Sequence, residues 1–256
     1  MPEPFAPLVR DQRAALLGLL SDVAGEDWER LTVCDPWTVK DVVAHLVEGE
    51  LQFGRLYRGE IDELATDTEE GVDRWRRVDG DTVRYSLWHH GQAAQRVIDT
   101  RPDKSWGRQV TNFGEPMELR RALPIHFFEL GVHSHDVSVA LGKPPIWGDR
   151  AGPLVEYIIG RATSALAETP ASGSIEVRIP EVGPRTLDGR SGGWILLDQS
   201  GGDGAGDPAA TWHTDAETLV LVTTGRLAIP DAIAHSKVEG DPSLLERVLA
   251  DWRPAR

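Results

Sequence analysis

The stretch FFELGVHSHDVSVALG, residues 127–142, has the composition of a buried helix but carries a glutamate and two histidines. Ionisable side chains rarely lie on a core-facing surface unless they are paired or bound to a metal. Glu129 and His133 are four residues apart, so on a helix they lie about 40° apart in azimuth and one turn apart in height. Two side chains at this spacing can bind one ion, and a further ligand is then expected from a facing helix.

The facing helix is predicted from WTVKDVVAHL, residues 37–46, where Thr38 has the position of an N-cap and Asp41 follows three residues later. His45 lies on the apolar face of this helix, which continues through Phe53. A histidine, glutamate and histidine from two helices leave at least one coordination position open. This is typical of a catalytic divalent metal site, and nitrogen and oxygen ligands suit Zn²⁺ without excluding nickel, manganese or iron.

Two neighbouring residues bear on this predicted site. Asp136, three residues after His133, is placed to accept the second imidazole N–H and so fix the tautomer. His126, about one turn before Glu129, is either a supporting group behind the ligands or an alternative ligand. The alternative to a metal site is a set of buried polar pairs inside a helical bundle, because a glutamate and a histidine four residues apart are common.

Helical apolar periodicity before residue 170 gives way to a mixed pattern after it. Helices are predicted over 5–24, 38–59, 82–98, 116–142 and 153–168, with a kink or a late start near Pro124 in the fourth. After residue 170, strands are predicted for SIEVRIP, GWILLD and ATWHTD, and helices for AETLVLVTTG and PSLLERVLADW. We therefore expect an α+β protein with a helical domain over 1–170 and a smaller α+β domain over 171–256.

Composition excludes several classes of partner and site. The formal net charge of −14 over 256 residues opposes binding to nucleic acid and to anionic lipid. No apolar run approaches the roughly 18 residues of a membrane span, and the N-terminus lacks the pattern of a signal peptide. The single cysteine, Cys34, rules out an internal disulfide and is most simply a small buried apolar residue. We therefore expect a cytoplasmic protein.

Three segments resemble the mycothiol-dependent maleylpyruvate isomerase family, part of the wider group of DinB-like metalloenzymes. They are WTVKDVVAHL, ALPIHFFELGVHSHDVSVALG, and TTGR followed by VEGDPSLLERVL, and they occur in the family's order over nearly the whole chain. The resemblance implies a DinB-like four-helix bundle followed by a smaller sterol-carrier-like domain. It also implies that His45, Glu129 and His133 are zinc ligands.

The same resemblance implies a reaction. Members of the family bind a low-molecular-weight thiol, usually mycothiol, at the open position of the zinc, and a metal-bound thiol is a thiolate near neutral pH. Addition of this thiolate to a small electrophile ends as isomerisation if the thiol leaves again, and as S-transfer if the adduct persists.

Two arginines are candidates for contacting the substrate. Arg226, in TTGR, aligns with an arginine associated with activity in the family and is expected to hold a substrate carboxylate. The alternative is a cation at the C-terminus of a helix. Arg84, on the third predicted helix, is a weaker candidate of the same type.

Two other functions fit the same residues. A metal-bound water would give a hydrolase that needs no thiol. A structural metal beside a ligand-holding C-terminal domain would give a binding protein without turnover. In each case we expect a small molecule as partner, and a monomer or a homodimer.

Overall fold

The computed structural model describes residues 3–64, 68–112, 114–197 and 207–253. The chain divides into two compact units, 1–148 and 149–256. The helices of the first unit are α1 (Phe5–Leu19), α2 (Val39–Arg58), α3 (Thr68–Trp75), α4 (Gly80–Thr100) and α5 (Ala122–Ala140). In the second unit the helices are α6 (Ala151–Ala165), α7 (Ala216–Thr223), α8 (Ile229–Ala234) and α9 (Pro242–Trp252).

Four helices of the first unit, α1, α2, α4 and α5, form a bundle. Helix α2 packs against both α4 and α5, α1 packs against α5 and α4, and α3 covers α2. Large apolar side chains from all four helices are fully buried between them: Leu16, Leu56, Leu87 and Leu123. The expected helical bundle in the N-terminal part of the chain is therefore confirmed.

The start of α2 follows from local capping chemistry. The hydroxyl of Thr38 accepts a hydrogen bond from the Asp41 N–H at 3.2 Å, and the Asp41 carboxylate accepts one from the Thr38 N–H at 3.2 Å. The helix ends at Gly59, whose φ of 79° is the left-handed conformation that glycine adopts without steric cost. Both bounds had been predicted from the sequence, and they fix where His45 lies along the helix.

The start of α5 differs from the prediction. Residues 115–118 form strand β2 (Glu115–Glu118), which pairs antiparallel with β1 (Gln109–Asn112). Because α5 then begins at Ala122, Pro124 lies in its first turn, where a missing N–H breaks no helical hydrogen bond. The proline therefore marks a late helix start, which was one of the two expected outcomes.

The second unit is built on a five-stranded sheet of order β5-β4-β3-β6-β7. Its strands are β3 (Ser174–Ile179), β4 (Gly183–Asp188), β5 (Ile195–Leu197), β6 (Ala210–His213) and β7 (Lys237–Gly240). Strands β3 and β6 are parallel, and the other pairs are antiparallel. The three predicted strands are confirmed, although residue 198 of GWILLD lies outside the described residues. Strands β4 and β7 were missed, because neither has a clear alternation of apolar and polar residues.

The division into units falls before α6, whereas the sequence placed it after this helix. Helix α6 packs against α7, α9 and strands β4 and β5. Its buried residues form one apolar face: Leu154, Val155, Ile158, Ile159 and Ala162. An amphipathic pattern predicts that a helix has a partner without specifying which one, so the sequence alone did not assign α6 to the second unit. No helix among the described residues is long and apolar enough to cross a bilayer.

Candidate metal centre

Helices α2 and α5 bring the three predicted ligands to one point. One ligand atom from each of His45, Glu129 and His133 lies within 4.8 Å of the other two. The Glu129 Oε2 atom is 3.6 Å from His45 Nε2 and 3.5 Å from His133 Nε2. The side chains of the two histidines are 16% and 12% exposed and that of Glu129 is 36% exposed, so the group is open to solvent on the glutamate side.

These distances fit a divalent metal. Ligands bound tetrahedrally to zinc at about 2.0–2.2 Å lie roughly 3.4 Å from one another. The observed 3.5 and 3.6 Å separations therefore need almost no rearrangement to accept the ion. Two imidazoles and a carboxylate also form the donor set of open catalytic zinc sites.

Asp136 lies directly behind one ligand. Its Oδ2 atom is 2.9 Å from His133 Nδ1, and its side chain is fully buried. A carboxylate at this nitrogen keeps the N–H on Nδ1, so Nε2 is the nitrogen that faces Glu129 and that can bind a metal once it is deprotonated. This is the contact that the spacing of His133 and Asp136 predicted.

Cys34 was not expected near the site. Its thiol donates to Asp136 Oδ2 at 3.2 Å. Cys34, His133 and Asp136 also form a second group of potential metal ligands within 4.8 Å of one another. Because this group uses the Nδ1 side of His133, it competes with the hydrogen bond to Asp136. The sequence held one signal for this contact, namely that Cys34 precedes the first turn of the helix that carries His45.

Burial and hydrogen bonding set the charge of each ligand. Burial lowers the pKa of His45 below its ordinary value, which keeps this imidazole neutral. Burial alone would raise the pKa of Glu129, but hydrogen bonds from His133 and His45 outweigh it, so this pKa is lowered. For His133, burial opposes protonation, yet hydrogen bonds to Asp136, Cys34 and Glu129 raise its pKa well above the ordinary value. A metal that binds here therefore meets an ionised carboxylate and displaces a proton from His133.

His126 lies one turn away in a separate buried network. Its Nδ1 is 3.3 Å from the Tyr57 hydroxyl, its Nε2 is 3.3 Å from Glu50 Oε2, and its ring stacks on Phe53 with centroids 4.2 Å apart. Within the described part of the chain, His126 belongs to neither group of metal-ligating atoms. Its contacts therefore stabilise the bundle beside the site.

Glu50, at the centre of this network, contacts the guanidinium of Arg13 as well as the imidazole of His126. Arg13 on α1 donates from Nε and Nη2 to both Glu50 oxygens, at 2.5 and 3.0 Å, and Arg13 Nη1 donates to Gln95 on α4 at 3.2 Å. Burial alone would raise the pKa of Glu50, but the contacts with His126 and Arg13 outweigh this effect and lower the pKa from 4.5 to about 2. This pair was not predicted from the sequence, although both residues lie on otherwise apolar helix faces.

The two candidate substrate arginines make structural contacts. Arg84 donates to the Leu20 and Ser21 carbonyls at 2.9 and 3.1 Å and pairs with Asp81. Arg226 lies in the second unit just after α7 and donates to the Thr224 carbonyl at 3.2 Å. Contact of either arginine with a substrate stays a prediction.

The first unit is thus a helical bundle in which a histidine, a glutamate and a second histidine form a candidate metal site. A family model described as the mycothiol maleylpyruvate isomerase N-terminal domain matches residues 9–138, which is more than half of the 256-residue chain. The chain belongs to this family. The family resemblance identified from the sequence is confirmed.

Two solved structures share the fold over nearly the whole chain. The crystal structure of a histidine-to-alanine mutant of the mycothiol-dependent maleylpyruvate isomerase has a TM-score of 0.68 at 13% identity and covers 93% of each chain. The structure of that isomerase without the mutation has a TM-score of 0.67 at 14% identity and covers 89% of this chain and 90% of the other. At this level of identity the similarity shows the fold.

A third structure is related more weakly. The solution structure of the sterol carrier protein domain 2 of Helicoverpa armigera has a TM-score of 0.26 at 15% identity, and covers 38% of this chain and 72% of the other. This score is too low to support an argument, so the sterol-carrier-like character of the second unit stays a prediction. No curated protein sequence matches the chain.

Proposed function

We propose that the protein is a zinc-dependent enzyme that uses mycothiol in S-transfer to, or cis–trans isomerisation of, a small electrophile of the maleylpyruvate kind. The observation that carries this proposal is the group formed by His45, Glu129 and His133, whose atoms have the spacing of zinc ligands and an open side. Family membership supports the choice of thiol.

His45, Glu129 and His133 would hold the metal. When bound, the ion supplies a thiolate nucleophile near neutral pH, because coordination lowers the pKa of a thiol. Asp136 orients His133 by accepting a hydrogen bond from its Nδ1–H, and the buried position of Asp136 keeps water from competing for that hydrogen bond. The neutral state of His45 keeps its Nε2 lone pair available for the ion.

Arg226 and Arg84 are the candidates for binding the substrate. Arg226 would hold a carboxylate of the substrate through its guanidinium, since a planar fork of donors matches a carboxylate in two contacts. Arg84 is the weaker candidate, because three structural acceptors already occupy its guanidinium.

The test measures metal content and product formation together. The zinc-loaded chain is incubated with candidate electrophiles, with and without mycothiol, and products are identified by mass spectrometry. We expect equimolar zinc and products only with the thiol, and we expect His45→Ala to lose both. His89→Ala is the matched control, since His89 is an exposed histidine on α4.

Each other result contradicts the proposal in a different way. Turnover without a thiol would indicate a hydrolase that uses metal-bound water. Tight ligand binding with no product under any thiol would indicate a binding protein.

A further inference from the structure

A cavity of about 170 Å³ lies beside the candidate metal centre, between α2 and α5. His45 and Glu129 are among its lining residues, so a molecule in the cavity lies next to two of the three candidate ligands. Most of the remaining wall is apolar, with side chains from both helices and from the segment that follows α2: Leu46, Phe53, Leu64, Ile125 and Leu130.

The size of the cavity limits what can enter it. A cavity of about 150 Å³ with an apolar lining binds benzene in another protein. The present cavity is therefore large enough for a single six-membered ring or a short branched alkyl group. Stacking of the Phe53 ring on His126 gives it one flat wall.

The charges around the cavity do not favour an anion. Among the described residues that line it there is no lysine or arginine, whereas three glutamates are present. The two that are not candidate ligands already have partners: Glu48 accepts from Arg74 and Trp75 at 2.8 and 2.7 Å, and Glu50 accepts from Arg13. A carboxylate placed against these walls, away from the metal position, would lose its hydration without gaining a cationic side chain in return.

Asn112 adds the kind of polar group that a neutral ligand can use. It lines the cavity, and its buried Oδ1 has no hydrogen-bond partner among the described residues. A side-chain amide can both donate and accept hydrogen bonds without carrying charge.

We propose that this cavity holds the body of the electrophile, and that this body is an uncharged apolar group of about six carbons. The proposal rests on the proposed function for the reacting thiol. It narrows the part of the substrate that lies inside the cavity to a neutral aryl or alkyl group, so that a carboxylate held by Arg226 would lie outside the cavity. In the reaction, the thiol sulfur bonds to the β-carbon of an unsaturated ketone. The α-carbon takes the proton that the thiol loses, so that no oxidant or reductant is required.

Binding is measured first with ligands that cannot react. Benzylacetone, a saturated phenyl ketone, is compared with its para-carboxylate derivative by isothermal titration of the metal-free chain, so that no zinc ion is present to bind the carboxylate. We expect the carboxylate to bind at least about tenfold more weakly, because it would place an unpaired charge in the apolar cavity. Equal or tighter binding of the carboxylate would overturn the proposal, and so would no binding of either ligand.

Two substitutions locate the binding. Leu64→Trp and Ile125→Phe fill the cavity from two sides, and each is expected to weaken benzylacetone binding at least about tenfold. Leu31→Trp is the control, since Leu31 is 65% exposed and does not line the cavity. Unchanged affinity in both filled variants would place the ligand elsewhere. If neither variant folds, the comparison of neutral and charged ligands in the unmodified chain still decides.

A turnover assay then tests the cavity assignment and the thiol chemistry separately. The reactive counterpart, benzylideneacetone, is supplied with mycothiol, and the thioether is measured by mass spectrometry. Benzylacetone binding with no thioether would contradict the thiol chemistry and leave the cavity assignment standing. Thioether formation that is equally fast with a para-carboxylate acceptor would contradict the cavity assignment and leave the thiol chemistry standing.

Discussion

At the scale of single residues, the candidate centre depends on which nitrogen of His133 faces Glu129. The hydrogen bond between His133 Nδ1 and Asp136 settles this, since only Nε2 is then free for an ion. The Cys34 thiol donates to the same Asp136 oxygen. Asp136 therefore acts through His133 without contacting the metal in this arrangement.

Substitution of Asp136 tests this role. We expect Asp136→Asn to lower zinc affinity by about 10- to 100-fold, the usual effect of removing a carboxylate behind a histidine ligand. Competition with a chromophoric chelator measures the change. Asp251→Asn, at an exposed aspartate on α9, should leave affinity unaltered. An unaltered affinity in Asp136→Asn as well would mean that His133 needs no such support.

At the scale of elements, a buried ion pair connects three helices of the bundle. Arg13 on α1 binds Glu50 on α2 and Gln95 on α4, and the Arg13 and Glu50 side chains are 2% and 0% exposed. A buried charge that loses its partner typically costs about 3–5 kcal/mol. This network thus fixes α2, and with it His45, against the neighbouring helices.

Stability of Glu50→Gln should therefore depend on pH. The pKa of Glu50 is lowered from 4.5 to about 2 in the folded chain. The ionised carboxylate therefore contributes its full share of the free energy of unfolding above pH 4.5, and this share is lost as the pH falls through 2. At pH 7 we expect the variant to be less stable by about 3–5 kcal/mol. This difference should narrow by about 2 kcal/mol on going to about pH 3, since each pKa unit is worth roughly 1.4 kcal/mol.

Denaturant unfolding at several pH values measures this difference. Glu246→Gln, at an exposed glutamate of α9, is the control and should follow the unmodified chain. The difference in free energy of unfolding between Glu50→Gln and the unmodified chain could also stay constant from pH 7 to about pH 3. That result would show that Arg13 and His126 do not keep Glu50 ionised.

At the scale of the whole molecule, the predictions that came from local chemistry were confirmed. The bounds of α2 follow from Thr38, Asp41 and Gly59, all of which act within a few residues of the helix ends. The closeness of His45, Glu129 and His133 could be predicted because helical periodicity directs the three side chains toward the facing helix. Their role as metal ligands stays a prediction. Composition and periodicity together also gave the α+β class.

Contacts between segments that are distant in the chain could not be predicted from the sequence pattern. The pairing of Arg13 with Glu50 joins residues on different helices, and the contact of Cys34 with Asp136 joins the start of α2 to α5. The partners of α6 and the order of the strands are likewise properties of packing, which one sequence pattern does not specify.

Arg226 tests whether the second unit takes part in the reaction. We expect Arg226→Ala to lower kcat/KM at least about tenfold without changing zinc content, since a lost bidentate contact weakens binding of the substrate carboxylate. Arg226→Lys should recover only part of the loss, because an ammonium lacks the planar fork. Arg190→Ala removes an exposed arginine of the same unit and serves as the control. Unchanged kcat/KM in Arg226→Ala would show that this arginine has a structural role and does not bind the substrate.

The central claim is that zinc held by His45, Glu129 and His133 binds the sulfur of an added thiol. X-ray absorption at the zinc edge tests this binding when spectra are recorded before and after addition of mycothiol. The zinc-loaded Cys34→Ser variant is used because it has no protein thiol that could supply the sulfur signal. We expect the zinc ion to have only nitrogen and oxygen neighbours before mycothiol is added, and to gain one sulfur neighbour at about 2.3 Å afterwards. A spectrum that gains no sulfur neighbour when mycothiol is added would contradict this claim.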